Sequence, residues 1–146
     1  MKQFVFTLQA LYDMQESAEK QVKMQIAAIE AELAQCLAEI ETLNARFDVA
    51  KNEYCSAMAG GVQAIRLKNY GHFFERLRAV IMLQQGKARQ LEGEKEKCLQ
   101  KLVHIRREKM LLDKLREEQY QEYQSELKKH QAKLIDDFVS YRTTVS

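Results

Sequence analysis

The chain has 146 residues, enough for one domain, and its formal net charge of +2 is too small to require a nucleic acid as partner. It contains no proline, no tryptophan and only five glycines, while 30% of its residues are charged. A compact fold needs several turns, which proline, glycine and small polar residues supply. The composition therefore excludes a turn-rich globule and favours long helices.

The first predicted helix covers residues 4–58. From Val22 to Ala57, alternate steps of four and three residues reach only apolar or aromatic side chains. This spacing is typical of the buried seam of a coiled coil. The same rhythm extends upstream to Phe4 with a polar break at Gln15. The predicted seam comprises Val22, Ile26, Ile29, Leu33, Cys36, Ile40, Leu43, Phe47, Ala50, Tyr54 and Ala57.

A turn is predicted over residues 59–63, where Gly60 and Gly61 form the one adjacent glycine pair of the chain. We expect Gly60 to adopt the left-handed conformation that ends the first helix, and Gly61 to begin the reversal. The flanking residues lack the spacing of a phosphate-binding loop. The pair therefore predicts a reversal of the chain.

The second predicted helix covers residues 64–140, with a rougher seam that begins Tyr70, Phe73, Leu77 and Ile81. Residues 1–60 carry a net charge of −4 and residues 61–146 a net charge of +6. Opposite charges favour packing of the two halves against each other. Folding back at the glycines would place Tyr54 near Tyr70 and leave about the last 20 residues unpartnered and frayed.

The predicted fold is therefore all-α: a single-domain, long antiparallel two-helix coiled coil. Such a hairpin offers no deep pocket, and we expect neither enzymatic activity nor a cofactor. The three histidines lie far apart on it, and Cys36, Cys55 and Cys98 lack the spacing of metal ligands. No apolar run approaches the length of a membrane span, and the N-terminus lacks the features of a signal peptide. A reducing cytosol is the expected compartment.

Nucleic-acid binding stays open as an alternative. Residues 87–116 contain ten basic and five acidic side chains. A basic helical face can bind phosphates non-specifically. The interspersed acids, and the absence of aromatic residues alternating with the basic ones, favour a solvated or partner-facing helix instead.

The sequence also resembles the FliJ family of flagellar export proteins over nearly its whole length. The opening FVFTLQALYDMQESAEKQ is similar to the family's Phe-x-Leu-x-x-Leu start followed by a charged helix. The stretch KNEYCSAMAGGVQAIRLKNYGHFFERL resembles the family's helix end, glycine turn and Asn-Tyr-x-x-Phe return. The later EKMLLDKLREEQYQEYQ resembles its basic second helix.

The resemblance implies a hairpin similar to the central stalk of rotary ATPases. Its partners would be the hexameric export ATPase, the cytoplasmic domain of the export gate, a membrane protein, and export chaperones. The end that bears both termini would enter the ATPase ring, promote its assembly and couple it to the gate. The family's gate-facing positions correspond here to Leu43, Phe47, Ala50, Tyr54, Phe73, Leu77, Val80 and Gln84.

Near the termini, we expect contacts with the ATPase ring from Phe4, Leu8, Leu11, Tyr120, Tyr123, Phe138 and Tyr141. The protein would be a monomer in the bacterial cytoplasm, peripheral to the inner membrane at the flagellar base and not inserted into it. The equivalent stalk of an injectisome and an unrelated, dimerising coiled-coil scaffold remain as alternatives.

Overall fold

The computed structural model describes residues 2–145. Two long helices account for most of them, α1 (Gln9–Ala59) and α2 (Ala64–Val145), and no strand occurs among the described residues. The chain is a helical hairpin, as predicted. Because no proline interrupts either segment, main-chain hydrogen bonding continues through both helices.

Contacts divide the hairpin into two units. The turn unit comprises Val22–Lys101 and contains the chain reversal. The terminal unit joins the residues up to Gln21 with those from Leu102 onward. The single-domain organisation expected from the sequence stays a prediction.

The core of the turn unit is one narrow stripe on each helix. Cys36, which is 2% exposed, packs with Ala88 and Leu91, and three half-buried residues of α1 surround them. Every residue of the seam predicted from Val22 to Ala57 is buried or half-buried. The 4–3 spacing was therefore sufficient to find the packed face of α1. The three surrounding residues are Ile29, Leu33 and Ile40.

The terminal unit begins with an arm of residues 2–8 that is not helical. The predicted start of the first helix at residue 4 is therefore wrong, because α1 begins at Gln9. Phe6 is 6% exposed and Phe4 is half-buried, whereas Val5 between them is exposed. In a helix, residues two apart point in nearly opposite directions, so a helical arm could bury only one of the two phenylalanines.

Helix α2 continues to Val145, past the predicted boundary near residue 140, while the fraying expected of its end stays a prediction. From residue 128 to residue 145 every side chain is exposed. The last turns therefore gain little from burial and depend on local bonds. The hydroxyls of Thr143 and Thr144 donate to the main-chain oxygens of Val139 and Ser140.

The reversal between the helices depends on Gly61 rather than Gly60. Gly61 has φ of +75°, the left-handed region, while Gly60 still donates its N–H to the carbonyl of Ser56 at 3.1 Å. The prediction that Gly60 takes the left-handed position is therefore wrong by one residue. Gly60 retains a helical hydrogen bond, and the next residue makes the turn.

This geometry predicts different effects of alanine at the two glycines. A side chain at Gly61 meets no atom within 4 Å but must adopt the left-handed conformation. Gly61→Ala should therefore lower the free energy of unfolding by about 1 kcal/mol. Gly60→Ala makes ordinary contacts with the Ser56 and Ala57 carbonyls and should be neutral or stabilising by up to about 1 kcal/mol. Urea unfolding of both variants measures these free energies. Equal losses of stability would contradict the conclusion that Gly61 alone of the two glycines needs the left-handed conformation.

Candidate functional site

Five aromatic rings gather beside the turn, all within the turn unit. Phe74 lies at their centre, with its ring centroid 5.2 Å from that of Phe47 and 6.0 Å from that of Tyr54. Tyr54 also packs edge-on against Tyr70 at 5.6 Å, the neighbour predicted from the hairpin. Edge-to-face pairs at these distances add to the burial of the rings. The cluster therefore joins the two helices where they approach the reversal.

The position of Phe73 differs from the predicted seam. The seam of α2 runs from Tyr70 to Phe74 and Leu77, by steps of four and three, and Phe73 is 38% exposed beside it. Phe74 fills the seam because it can reach the rings of α1, whereas its neighbour points about 100° away. Phe73 still touches Phe74, with centroids 6.1 Å apart. Its side chain is thus only partly covered and is accessible to a partner.

The eight residues expected to face the export gate divide into two groups. Phe73 and Val80, which is 43% exposed, present apolar surface to solvent. Six others belong to the seam, where they hold the helices together: Leu43, Phe47, Ala50, Tyr54, Leu77 and Gln84. These six positions, which the family resemblance implied, also follow the spacing of the coiled coil itself.

Gln84 has a defined role in that seam. The Sγ of Cys36 donates to the main-chain oxygen of Gln84 at 3.2 Å and lies 3.3 Å from its Oε1. The amide is half-buried, so this contact reduces the cost of placing a polar group between the helices. Gln84 is therefore a structural residue in this arrangement.

An open groove lies along the flank of the turn unit, beside the seam, and two seam residues, Ala50 and Tyr70, take part in its lining. Its volume is about 730 Å³. Its apolar and aromatic lining comes from Ala45, Val49, Ala50, Tyr70 and Phe73. Its charged and polar lining comes from Thr42, Arg46, Glu53, Arg66, Asn69 and Arg76.

Most of the groove escaped the sequence prediction. The lining residues of α1 include Thr42, Arg46, Val49 and Glu53, each directly before a seam residue. Positions that flank a coiled-coil seam can be read from the heptad once the seam is known. The contribution of α2 could not be read in this way, because it depends on how the second helix aligns with the first.

The seven residues expected to meet the ATPase ring lie in the terminal unit. Phe4 packs against Tyr120 and Tyr123, with centroids 5.2 and 5.6 Å apart. The Tyr123 hydroxyl donates to the main-chain oxygen of Lys2 at 2.9 Å. The arm thus occupies part of this aromatic surface. Leu8 is half-buried, while three of the seven project freely: Leu11, Phe138 and Tyr141.

A charged cluster replaces apolar packing at one place in the terminal unit. The Nζ of Lys109 lies 3.1 Å from Oε2 of Glu19 and 5.3 Å from the centre of the Tyr12 ring. The Nε of Arg106 lies 4.0 Å from the other oxygen of the same carboxylate. The hydrogen bond to Glu19 raises the pKa of Lys109 above its ordinary value of 10.5. Charge pairing therefore helps to align α1 with α2 here.

The described part of the chain shows no candidate metal-binding site. No group of three or more histidine, cysteine or acidic side chains could hold an ion among residues 2–145. The three cysteines are free thiols. Within the same residues, neither helix contains a stretch that is long and apolar enough to cross a membrane.

The comparison with protein families connects these features. The family model described as "Flagellar FliJ protein" matches residues 4–145. The chain belongs to the FliJ family. This membership indicates a role in flagellar protein export. No curated protein and no solved structure matches the chain.

The aromatic cluster of this FliJ-family chain predicts unequal effects at two adjacent phenylalanines. Phe74→Ala removes a ring that contacts four others and should lower the free energy of unfolding by about 2–3 kcal/mol. Phe73→Ala, the matched control on the exposed flank, should cost less than about 1 kcal/mol. Urea unfolding followed by circular dichroism measures both. Equal losses of stability in the two variants would indicate that both rings pack in the seam.

The Lys109 cluster predicts a dependence of stability on alkaline pH. Because the folded-state pKa of Lys109 is raised, its stabilising contribution is fully present below pH 10.5 and is lost as the pH rises through the folded pKa. Lys109→Met should therefore destabilise the protein at neutral pH, and the difference from wild type should shrink above pH 10.5.

Urea unfolding at neutral and strongly alkaline pH measures that difference. Lys114→Met is the control, since none of the ion pairs among residues 2–145 includes Lys114. The same Lys109→Met deficit at both pH values would show that the Glu19 contact does not stabilise the folded state.

Proposed function

We propose that the protein is a non-enzymatic stalk and adaptor of the flagellar type III export apparatus. Its end with both termini would enter the hexameric export ATPase and promote assembly of the ring. Its turn end would face the cytoplasmic domain of the export gate. Family membership over residues 4–145 supports the export role, and the hairpin supports the stalk.

The single observation that carries the ATPase contact is the exposed end of α2. From residue 128 to residue 145 no side chain is buried, yet Leu134, Phe138 and Tyr141 lie along one face at steps of four and three. Phe138 is 61% exposed. A row of large apolar side chains on a lone helix is typical of a surface that another protein covers. The partner implied by the family's role in export is the ATPase ring.

The gate contact rests on the turn unit. Phe73 and Val80 are the members of the predicted gate-facing set that expose apolar surface. They lie seven residues apart on α2, so they share one face of the helix. Aromatic side chains at such positions contribute strongly to protein interfaces.

The remaining parts of the role follow from the same family. The adaptor would also bind export chaperones, and it would act as a monomer. We place it in the bacterial cytoplasm, at the inner face of the membrane beside the flagellar base. No step of this role needs a cofactor or a metal ion.

The ATPase contact predicts a gain of ATP hydrolysis when the protein is titrated into the cognate export ATPase. The double variant Phe138→Ala, Tyr141→Ala should need about tenfold more protein for half the effect, because two exposed anchors are lost. Its stability should equal that of wild type, since neither ring is buried in the chain.

Leu83→Ala is the matched control, since this side chain is equally exposed on α2 but lies in the turn unit. It should stimulate hydrolysis like wild type. Unchanged hydrolysis across a saturating titration of wild-type protein would count against the stalk role.

A further inference from the structure

The groove of the turn unit combines an apolar floor with an excess of positive charge. Val49 and Phe73 expose 57% and 38% of their surface and form part of that floor. Three arginines line the groove, and Glu53 is the one acidic residue that accompanies them: Arg46, Arg66 and Arg76.

The three guanidinium groups have no carboxylate partner inside the described chain. Among residues 2–145, the ion pairs join other side chains, and these arginines take part in none of them. Glu53 shares their groove without pairing with any of the three. Arginine binds carboxylates through two parallel hydrogen bonds, and it is enriched with aromatic residues at the centres of protein interfaces.

We propose that this groove binds an acidic, apolar peptide segment. A large apolar side chain of the segment would rest on Val49 and Phe73, and neighbouring carboxylates would pair with Arg46, Arg66 and Arg76. The inference rests on the proposed function, which makes the cytoplasmic domain of the export gate the source of that segment. It deepens this function by assigning recognition to a charged flank, whereas six of the eight expected gate-facing residues belong to the seam.

The dimensions and chemistry of the groove favour such a segment over other occupants. A volume of about 730 Å³ suits one or two large side chains. A nucleic acid would place phosphates along an apolar floor and against the Glu53 carboxylate, which repels them. A second copy of this chain that docked symmetrically, groove against groove, would bring the same excess of arginine to the same surface, with like-charge repulsion.

Charge reversal on the two faces of α2 tests the proposal with matched controls. Arg66→Glu and Arg76→Glu change residues of the groove, whereas Lys68→Glu and Arg78→Glu make similar charge changes two residues away, on nearly the opposite face. The probe is the isolated cytoplasmic domain of the cognate export gate. Calorimetric titration measures its dissociation constant at low and high salt.

The groove pair Arg66→Glu, Arg76→Glu should weaken binding of the gate domain by about tenfold or more at low salt, with a smaller loss at high salt. The control pair should bind within about twofold of wild type. Phe73→Ala should also weaken binding, since it removes part of the apolar floor. Equal losses from the groove pair and the control pair would overturn the proposal and leave the gate contact intact.

Short overlapping peptides from the gate's cytoplasmic part identify the bound segment. Bound peptides should carry acidic residues beside a large apolar one, and replacing glutamate by glutamine in them should abolish binding. Binding of neutral or basic peptides would overturn the proposal. So would a preference of the groove for duplex DNA, sensitive to Arg66→Glu but not to Lys68→Glu. Failure of the intact gate domain to bind wild-type protein would instead contradict the gate contact, and the inference with it.

Discussion

The packing of one apolar stripe of α1 against one of α2 is the interaction on which the rest of the protein depends. With no third layer among the described residues, each helix has a single buried face, and every other face meets solvent. Small side chains at the centre of the turn unit, such as Cys36 and Ala88, allow close approach of the helices. Aromatic rings then fill the wider space beside the turn.

A seam of this kind has a weakness, because an apolar stripe can slide along another by one heptad and meet equivalent apolar positions again. Polar residues at seam positions oppose this. In the turn unit, Lys95 lies 3.3 Å from Glu30, and Gln84 meets the thiol of Cys36. In the terminal unit, Lys109 pairs with Glu19. Exposed ion pairs add little to the free energy of unfolding, but they make the observed register of the two helices more stable than shifted registers.

Because few side chains are buried, much of the surface of the protein is available to partners. A hairpin that packs one stripe per helix keeps its flanks free, and residues such as Arg46 and Val49 are exposed there without cost to the seam. Between residues 128 and 145 the helix buries no side chain and still carries large apolar ones. Interaction with other proteins is thus consistent with how little of this chain is buried.

Much of the architecture could be read from the amino-acid sequence, because helix periodicity is a local property. The absence of proline, the 4–3 spacing from Val22 to Ala57 and the adjacent glycines were sufficient to predict two helices, the packed face of α1 and the reversal. Opposite net charges of the halves indicated that they pair. Family membership was also readable, since it rests on residues along nearly the whole chain.

Only the tertiary structure decided which of two neighbouring side chains enters a contact. Phe73 and Phe74 are equivalent in sequence, and the position of Phe47 and Tyr54 on the facing helix selects Phe74. The arm before Gln9 is not helical, because Phe4 and Phe6 both pack in the terminal unit only if helix geometry is abandoned. The groove likewise forms only because residues of α1 and residues of α2 lie side by side where the two helices pack. Such choices depend on the register between distant segments, which no local pattern contains.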